Sequence, residues 1–183
     1  MRARDFLAGM ATTVVASALV GLLIVWSGAL DVSGATTGGR VDAFLRYAAR
    51  KSIARHATHE SNPFANDASV LPSGLAHFKA NCGACHAGSA VDLRAEFAHG
   101  LNPAPPSLTS AEVRALSDGE IVWVVSNGIR GTGMPSFAPT HSTDEIWKIV
   151  SFVRHLPDLS AEERKSLEEG RRDDAHHHDE AGH

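Results

Sequence analysis

Cys82-Gly83-Ala84-Cys85-His86 sets two thiols three positions apart, with an imidazole directly after the second. On a turn at the end of a helix, both sulfurs reach one edge of a flat macrocycle. The histidine that follows then points its ring beneath the centre. C-x-x-C-H is the pattern by which c-type haem is attached: two thioether bonds and one axial nitrogen for the iron.

Other uses of the two thiols meet obstacles. They are the chain's only cysteines, and small disulfide-built folds carry more. A structural zinc site requires four ligands, and no second pair with metal-ligand spacing stands nearby. A thioredoxin-like redox pair belongs after a strand of an α/β chain, whereas the pattern here is helical.

Iron held by one histidine needs a sixth ligand. The chain has three methionines: Met1, Met10 within an N-terminal apolar stretch, and Met134. Met134 stands in Gly131-Thr132-Gly133-Met134-Pro135, where the glycines allow close approach to a flat group and the proline stiffens the exit. Its plainer role is a gap-filling core methionine. His99 and His141 are the rival ligands, and Met134 is preferred.

Residues from about 68 to 157 resemble the class I cytochrome c domain. Gly74, Phe78 and Cys82, at i, i+4 and i+8, match the small residue and the aromatic of that family's first helix. Cys85 and His86 follow, then Pro106-Ser107-Leu108, Met134-Pro135, and a last apolar helix with Trp147 and Phe152. The resemblance implies an all-α fold of short helices and loops around one covalent haem. It also implies His86 and Met134 as the iron's ligands, and a proline carbonyl that accepts a hydrogen bond from the ligand histidine. Pro106 matches that proline, with Pro105 as the neighbouring alternative.

Phe6 to Leu30 is a run of 25 residues without a charge. As a helix it would extend about 37 Å, enough for the roughly 30 Å hydrocarbon core of a bilayer. Two readings stand: an uncleaved anchor, or a secretory signal cut near Ser27-Gly28-Ala29. The run exceeds the usual signal core, which favours the anchor. Arg2 and Arg4 flank one end, but Arg40, Arg46 and Arg50 follow the other, so the positive charges do not argue for export. In the family that the domain resembles, haem is attached on the outer face of the inner membrane. The expectation is therefore a single-pass protein of a bacterial inner membrane with its haem domain in the periplasm.

The organisation then reads as a short tail (1–5), the anchor (6–30), a periplasmic linker (31–67), the haem domain (68–157), and a charged helix with a His-rich tail (158–183). Within the linker, Val41, Phe44, Leu45 and Ala48 recur at helical spacing, with Arg46, Arg50, Lys51 and Arg55 mostly elsewhere on the wheel. This is either a basic amphipathic helix on a membrane or partner surface, or an ordinary solvated helix with a weak apolar stripe. The second is preferred.

A first domain helix is expected from Leu71 or Pro72 to Cys82. Ser117 with Glu120, Ser142 with Glu145, and Ser160 with Glu163 repeat the S-x-x-E capping pattern and place three helix starts. Ile121 to Val125 is β-rich by propensity, yet the cap before it and Asn127-Gly128 after it argue for a helix. Trp123 is expected in the core, near the haem. Ile146, Ile149, Val150 and Val153 form an apolar face that should cross the first helix near Gly74. Residues 87–107 should be mostly loop around the haem. The tail, with His176, His177, His178 and His183, should be disordered. Its imidazoles suit Cu, Ni or Zn, or serve only as a solvating end.

A net charge of −4 and a pI near 6.2 give no reason to expect nucleic-acid binding. No phosphate loop or hydrolytic constellation stands out. The expected function is a one-electron carrier with redox protein partners, not an enzyme. Alternatives are a haem subunit of a membrane oxidoreductase complex, or an open-site haem enzyme or gas sensor in which Met134 does not bind the iron.

Overall fold

Serine hydroxyls open the helices where the S-x-x-E spacing places them. In the computed structural model, Ser117 Oγ accepts from Glu120 N at 3.2 Å while the Glu120 carboxylate accepts from Ser117 N at 2.7 Å. Ser142 with Glu145 and Ser160 with Glu163 form the same reciprocal pair. Each box satisfies two backbone N–H groups that a helix start otherwise leaves open. Residues 3–29, 33, 35, 39–86 and 94–169 are described. Residues 1–2, the rest of 30–38, the stretch 87–93 expected as haem loop, and 170–183 with the His-rich tail lie outside them.

The helices are α1 (Ala3–Trp26), α2 (Arg40–His56), α3 (Leu71–Asn81), α4 (Ala111–Arg114), α5 (Asp118–Asn127), α6 (Thr143–His155) and α7 (161–169). Tight single turns occupy Ala68–Val70, Glu96–Gly100 and Leu156–Asp158. Among the described residues every regular element is a helix and no strand occurs.

Residues 1–36 form one unit by themselves. Its helix α1 has no buried residue, reaches a mean hydropathy of 2.2 over its most apolar 18 residues, and is long and apolar enough to cross a membrane. A helix that carries no charge from Phe6 onward and buries nothing against its own chain matches a single-pass membrane anchor.

The second unit, 37–183, holds the core. Helix α6 is its central wall. Ile149, Phe152 and Val153 face α3 and join Phe78, Cys82, Leu156, Leu159 and Leu167. Ile146, Trp147 and Val150 join Ile121, Val122 and Val125 of α5, with Phe64, Leu116, Met134 and Phe137 at the margin. Phe78 and Phe152 are fully buried, with ring centroids 5.4 Å apart at a tilt of 55°. Each such ring is worth about 2–3 kcal/mol of burial, plus a smaller aromatic-pair contribution. The crossing falls at Gly74, as its spacing from the apolar face of α6 predicts. A Cβ there would stand 2.5 Å from the Lys148 carbonyl oxygen and 2.7 Å from Phe152 Cβ.

Helix α2 buries a different residue from those its apolar stripe suggests. Ile53 is buried and α2 packs on α5, while Phe44 and Leu45 stay exposed. Arg50 pairs with Glu112 at 3.1 Å. Trp123, expected in the core, is instead half-buried, with its ring 6.0 Å from that of the exposed His56. The three neighbours Ile121, Val122 and Val125 already fill the inner face of α5, which turns position 123 outward. The segment after α2 is tied to the core as well. The buried Asn62 donates to Ser151 Oγ at 2.9 Å, and Ser151 donates to the Trp147 carbonyl at 3.2 Å.

Candidate functional site

Helix α3 ends in the turn that carries the thiols. The Phe78 carbonyl accepts from Cys82 N at 2.8 Å and from Gly83 N at 3.0 Å. The Cys82 carbonyl then accepts from Cys85 N at 3.1 Å and His86 N at 2.9 Å. These bonds wind residues 82–86 into one tight turn, so the side chains of 82, 85 and 86 fan out from a single point. Both thiols are free of any disulfide. Cys82 is buried against Phe78 and Phe152, and Cys85 is half-buried. Burial, with a smaller contribution from the Cys85 charge, pushes the Cys82 thiol up to about 12. Burial raises Cys85 as well.

His86 Nδ1 lies 3.0 Å from the Pro106 carbonyl oxygen. A carbonyl only accepts, so Nδ1 carries the proton and Nε2 keeps its lone pair free. Burial pushes the His86 pKa down and favours the neutral ring, partly offset by the hydrogen bond to the Pro106 carbonyl, which favours the protonated form. Of the two adjacent prolines, Pro106 makes the contact.

Met134 sits in a loop braced on the end of α5. Phe137 N donates to Val125 O at 3.1 Å and Ala138 N to Ser126 O at 3.2 Å, while Ser136 Oγ donates to Ser126 O at 2.6 Å. Within the loop, Ile129 N donates to Met134 O at 3.1 Å, and Met134 N donates to Thr132 Oγ1 at 3.1 Å. Gly128 makes this path possible. Its φ is +67°, and a Cβ there would stand 2.6 Å from the Met134 carbonyl oxygen. Met134 is half-buried at the margin of the α5–α6 core. Leu101 closes on the same loop, its side chain 3.1 Å from where a Gly133 Cβ would be. That contact was beyond sequence reasoning, because no spacing links residues 101 and 133.

The rival histidines sit differently. His141 lies between two rings, 5.5 Å from Phe137 and 5.2 Å from His77 in edge-on geometry. Both of its nitrogens already have neighbours: Nδ1 is 2.9 Å from Thr140 Oγ1, and Nε2 is 3.4 Å from Asn81 Nδ2. His99 is exposed on the turn Glu96–Gly100. Among the described residues, no three His, Cys, Asp or Glu side chains form a group able to hold a bare metal ion.

The donor set fits a covalently held haem. It offers two unpaired thiols on one turn, a neutral imidazole with Nε2 available, and a thioether on a braced loop. Residues 70–153 match the family described as Cytochrome C oxidase, cbb3-type, subunit III. No curated protein matches the chain. The matched stretch spans α3, the thiol turn, the methionine loop and nearly all of α6. Residues 70–153 thus match a cytochrome c domain, which implies a covalently attached c-type haem and supports a role in electron transfer.

Proposed function

We propose that the protein is a membrane-tethered one-electron carrier whose haem is bonded to Cys82 and Cys85 and held axially by His86 and Met134. When bound, haem c supplies reversible one-electron exchange at its iron. The chain's contribution is to orient, shield and tune. Pro106 holds the His86 ring by Nδ1, which fixes its rotation and makes Nε2 a better donor. The loop 128–137 presents the Met134 thioether without further ordering. Histidine–methionine ligation raises the potential, and burial raises it further by disfavouring the added charge of ferric iron. Were His86 and Met134 both to hold the iron, oxygen, peroxide and CO would find no open site.

The observation that carries this reading is the 3.0 Å contact from His86 Nδ1 to Pro106 O, on the turn that also bears both thiols. In this reading α1 crosses a bacterial inner membrane and the haem domain works in the periplasm. It passes electrons from a quinol- or dehydrogenase-side donor to a terminal acceptor. Tethering would keep the domain at high effective concentration near such partners. The test is an optical spectrum of the oxidised and reduced protein with CO added. A c-type spectrum is expected, with the weak far-red ferric band of iron–sulfur(Met) coordination and no CO response. Rapid CO binding at neutral pH would overturn Met134 ligation and carrier function together.

The family match favours one second reading, a haem subunit of a membrane oxidase, because the matched family is described as an oxidase subunit. Extraction in mild detergent separates the two. A free carrier elutes alone, and a subunit elutes with a larger haem-containing assembly.

A further inference from the structure

Helix α2 turns one side to the haem domain and leaves the other exposed among the described residues. Ile53 marks the inner side, where Arg50 also reaches Glu112. On the outer side, Phe44, Leu45 and Tyr47 are 66, 57 and 60% exposed. Lys51 and Arg55 are exposed too and fall on the same stripe as Phe44, at i+7 and i+11. Lys51 Nζ stands 5.7 Å from the centre of the Tyr47 ring. Two aromatic rings and a leucine with two cations among them form an amphiphilic surface, not an ordinary solvated face.

Water is a poor solvent for these rings, and a dry core is a poor one for the cations. The headgroup layer of a bilayer suits both, with rings at the acyl boundary and cations among lipid phosphates. Position along the chain supplies that layer. Residues 27–39 connect α1 to α2, and a chain of that length spans at most about 45 Å whatever its path. A membrane-crossing α1 thus leaves the start of α2 within reach of the bilayer surface.

We propose that the outer face of α2 docks on the membrane surface, with Phe44, Leu45 and Tyr47 in the interface and Lys51 and Arg55 on anionic phospholipid headgroups. The inference rests on α1 spanning the bilayer. Docking would turn a loosely tethered haem domain into an oriented one and limit which of its faces a redox partner meets.

The test uses the full-length haem protein in lipid nanodiscs, with the haem reduced. Both native cysteines are consumed by haem attachment, so Leu45→Cys supplies a single thiol for a spin label. In discs containing phosphatidylglycerol, the label should be open to oxygen and severalfold less open to a water-soluble nickel chelate. High salt, or Lys51→Glu with Arg55→Glu, should return it to water without changing the haem spectrum. Equal nickel access in anionic and zwitterionic discs overturns the docking. Shielding from both reagents whatever the lipid or salt also overturns it, in favour of a protein partner. A second label, at Val15→Cys in α1, keeps the failures apart: if it too lies in water, the anchor reading has failed.

Discussion

Gly74 of α3 and Phe152 of α6 meet so closely that the helices cross without a side chain between them; a Cβ on Gly74 would lie 2.7 Å from Phe152 Cβ. The other obstacle is the Lys148 carbonyl, 2.5 Å away and fixed in the backbone of α6. Neither can swing aside. Gly74→Ala should therefore separate the helices that carry the thiol turn and the main apolar wall. The expected cost is about 1–3 kcal/mol, despite the better helix propensity of alanine. Thermal unfolding of the haem protein checks this, and an unchanged or raised midpoint would contradict the crossing geometry.

Met134 gives a prediction on the redox chemistry. Met134→Ala should lower the potential by on the order of 0.2 V, a fraction of the range that axial ligation covers. It should also open the protein to CO. Met134→His should lower the potential with no CO binding, because an imidazole refills the position. His99→Ala and His141→Ala should leave the far-red ferric band in place, and loss of the band in either would move the sixth ligand away from Met134.

Glu145 ties the start of α6 to pH. Its carboxylate is held below the ordinary value of 4.5 by the Ser142 N–H, then by the Ser142 hydroxyl, with His77 and His141 adding to the effect. A depressed carboxyl stabilises the fold above its unfolded value and loses that contribution as pH falls through its folded value. The loss should therefore begin near pH 4.5 and continue below it. Glu145→Gln keeps a hydrogen-bonding cap without the charge. It should be less stable than the parent at pH 7, with the gap closing in acid. A pH-independent gap in denaturant midpoints would count against the cap's charge.

Arg154 is the third tie of α6. Its Nε donates to Asp118 Oδ1 at 2.7 Å and its Nη1 to the Arg114 carbonyl at 3.2 Å, while Nη2 donates to the Leu116 carbonyl. One planar fork serves the end of α4 and the start of α5 together. A lysine has no such fork. Arg154→Lys should cost about 1–2 kcal/mol although the charge is kept. A melting curve identical to the parent's would show that charge alone suffices.

Much of this was legible without coordinates. Three S-x-x-E boxes placed three helix starts because capping is local: the groups that satisfy one another lie three residues apart. The C-x-x-C-H turn and the Gly74–α6 crossing were legible for related reasons, short spacing in the first and a periodic apolar face in the second. Trp123 and Ile53 were not. Both lie on helices whose apolar residues outnumber the positions facing the core, and propensity does not say which of them turns inward.

The amino-acid sequence by itself therefore determined the all-helical character, the three serine-capped helix starts, the turn that carries both thiols and the apolar N-terminal helix, since each rests on neighbours within one or two turns. Tertiary structure alone decided that Pro106 rather than Pro105 holds His86, and that Leu101 closes on the methionine loop. It alone decided that Asn62 reaches Ser151 and that α2 buries Ile53 while baring Phe44 and Tyr47. Each of those contacts joins residues from separate elements. Which donor reaches which acceptor there is set by how the helices cross, and no local spacing encodes that.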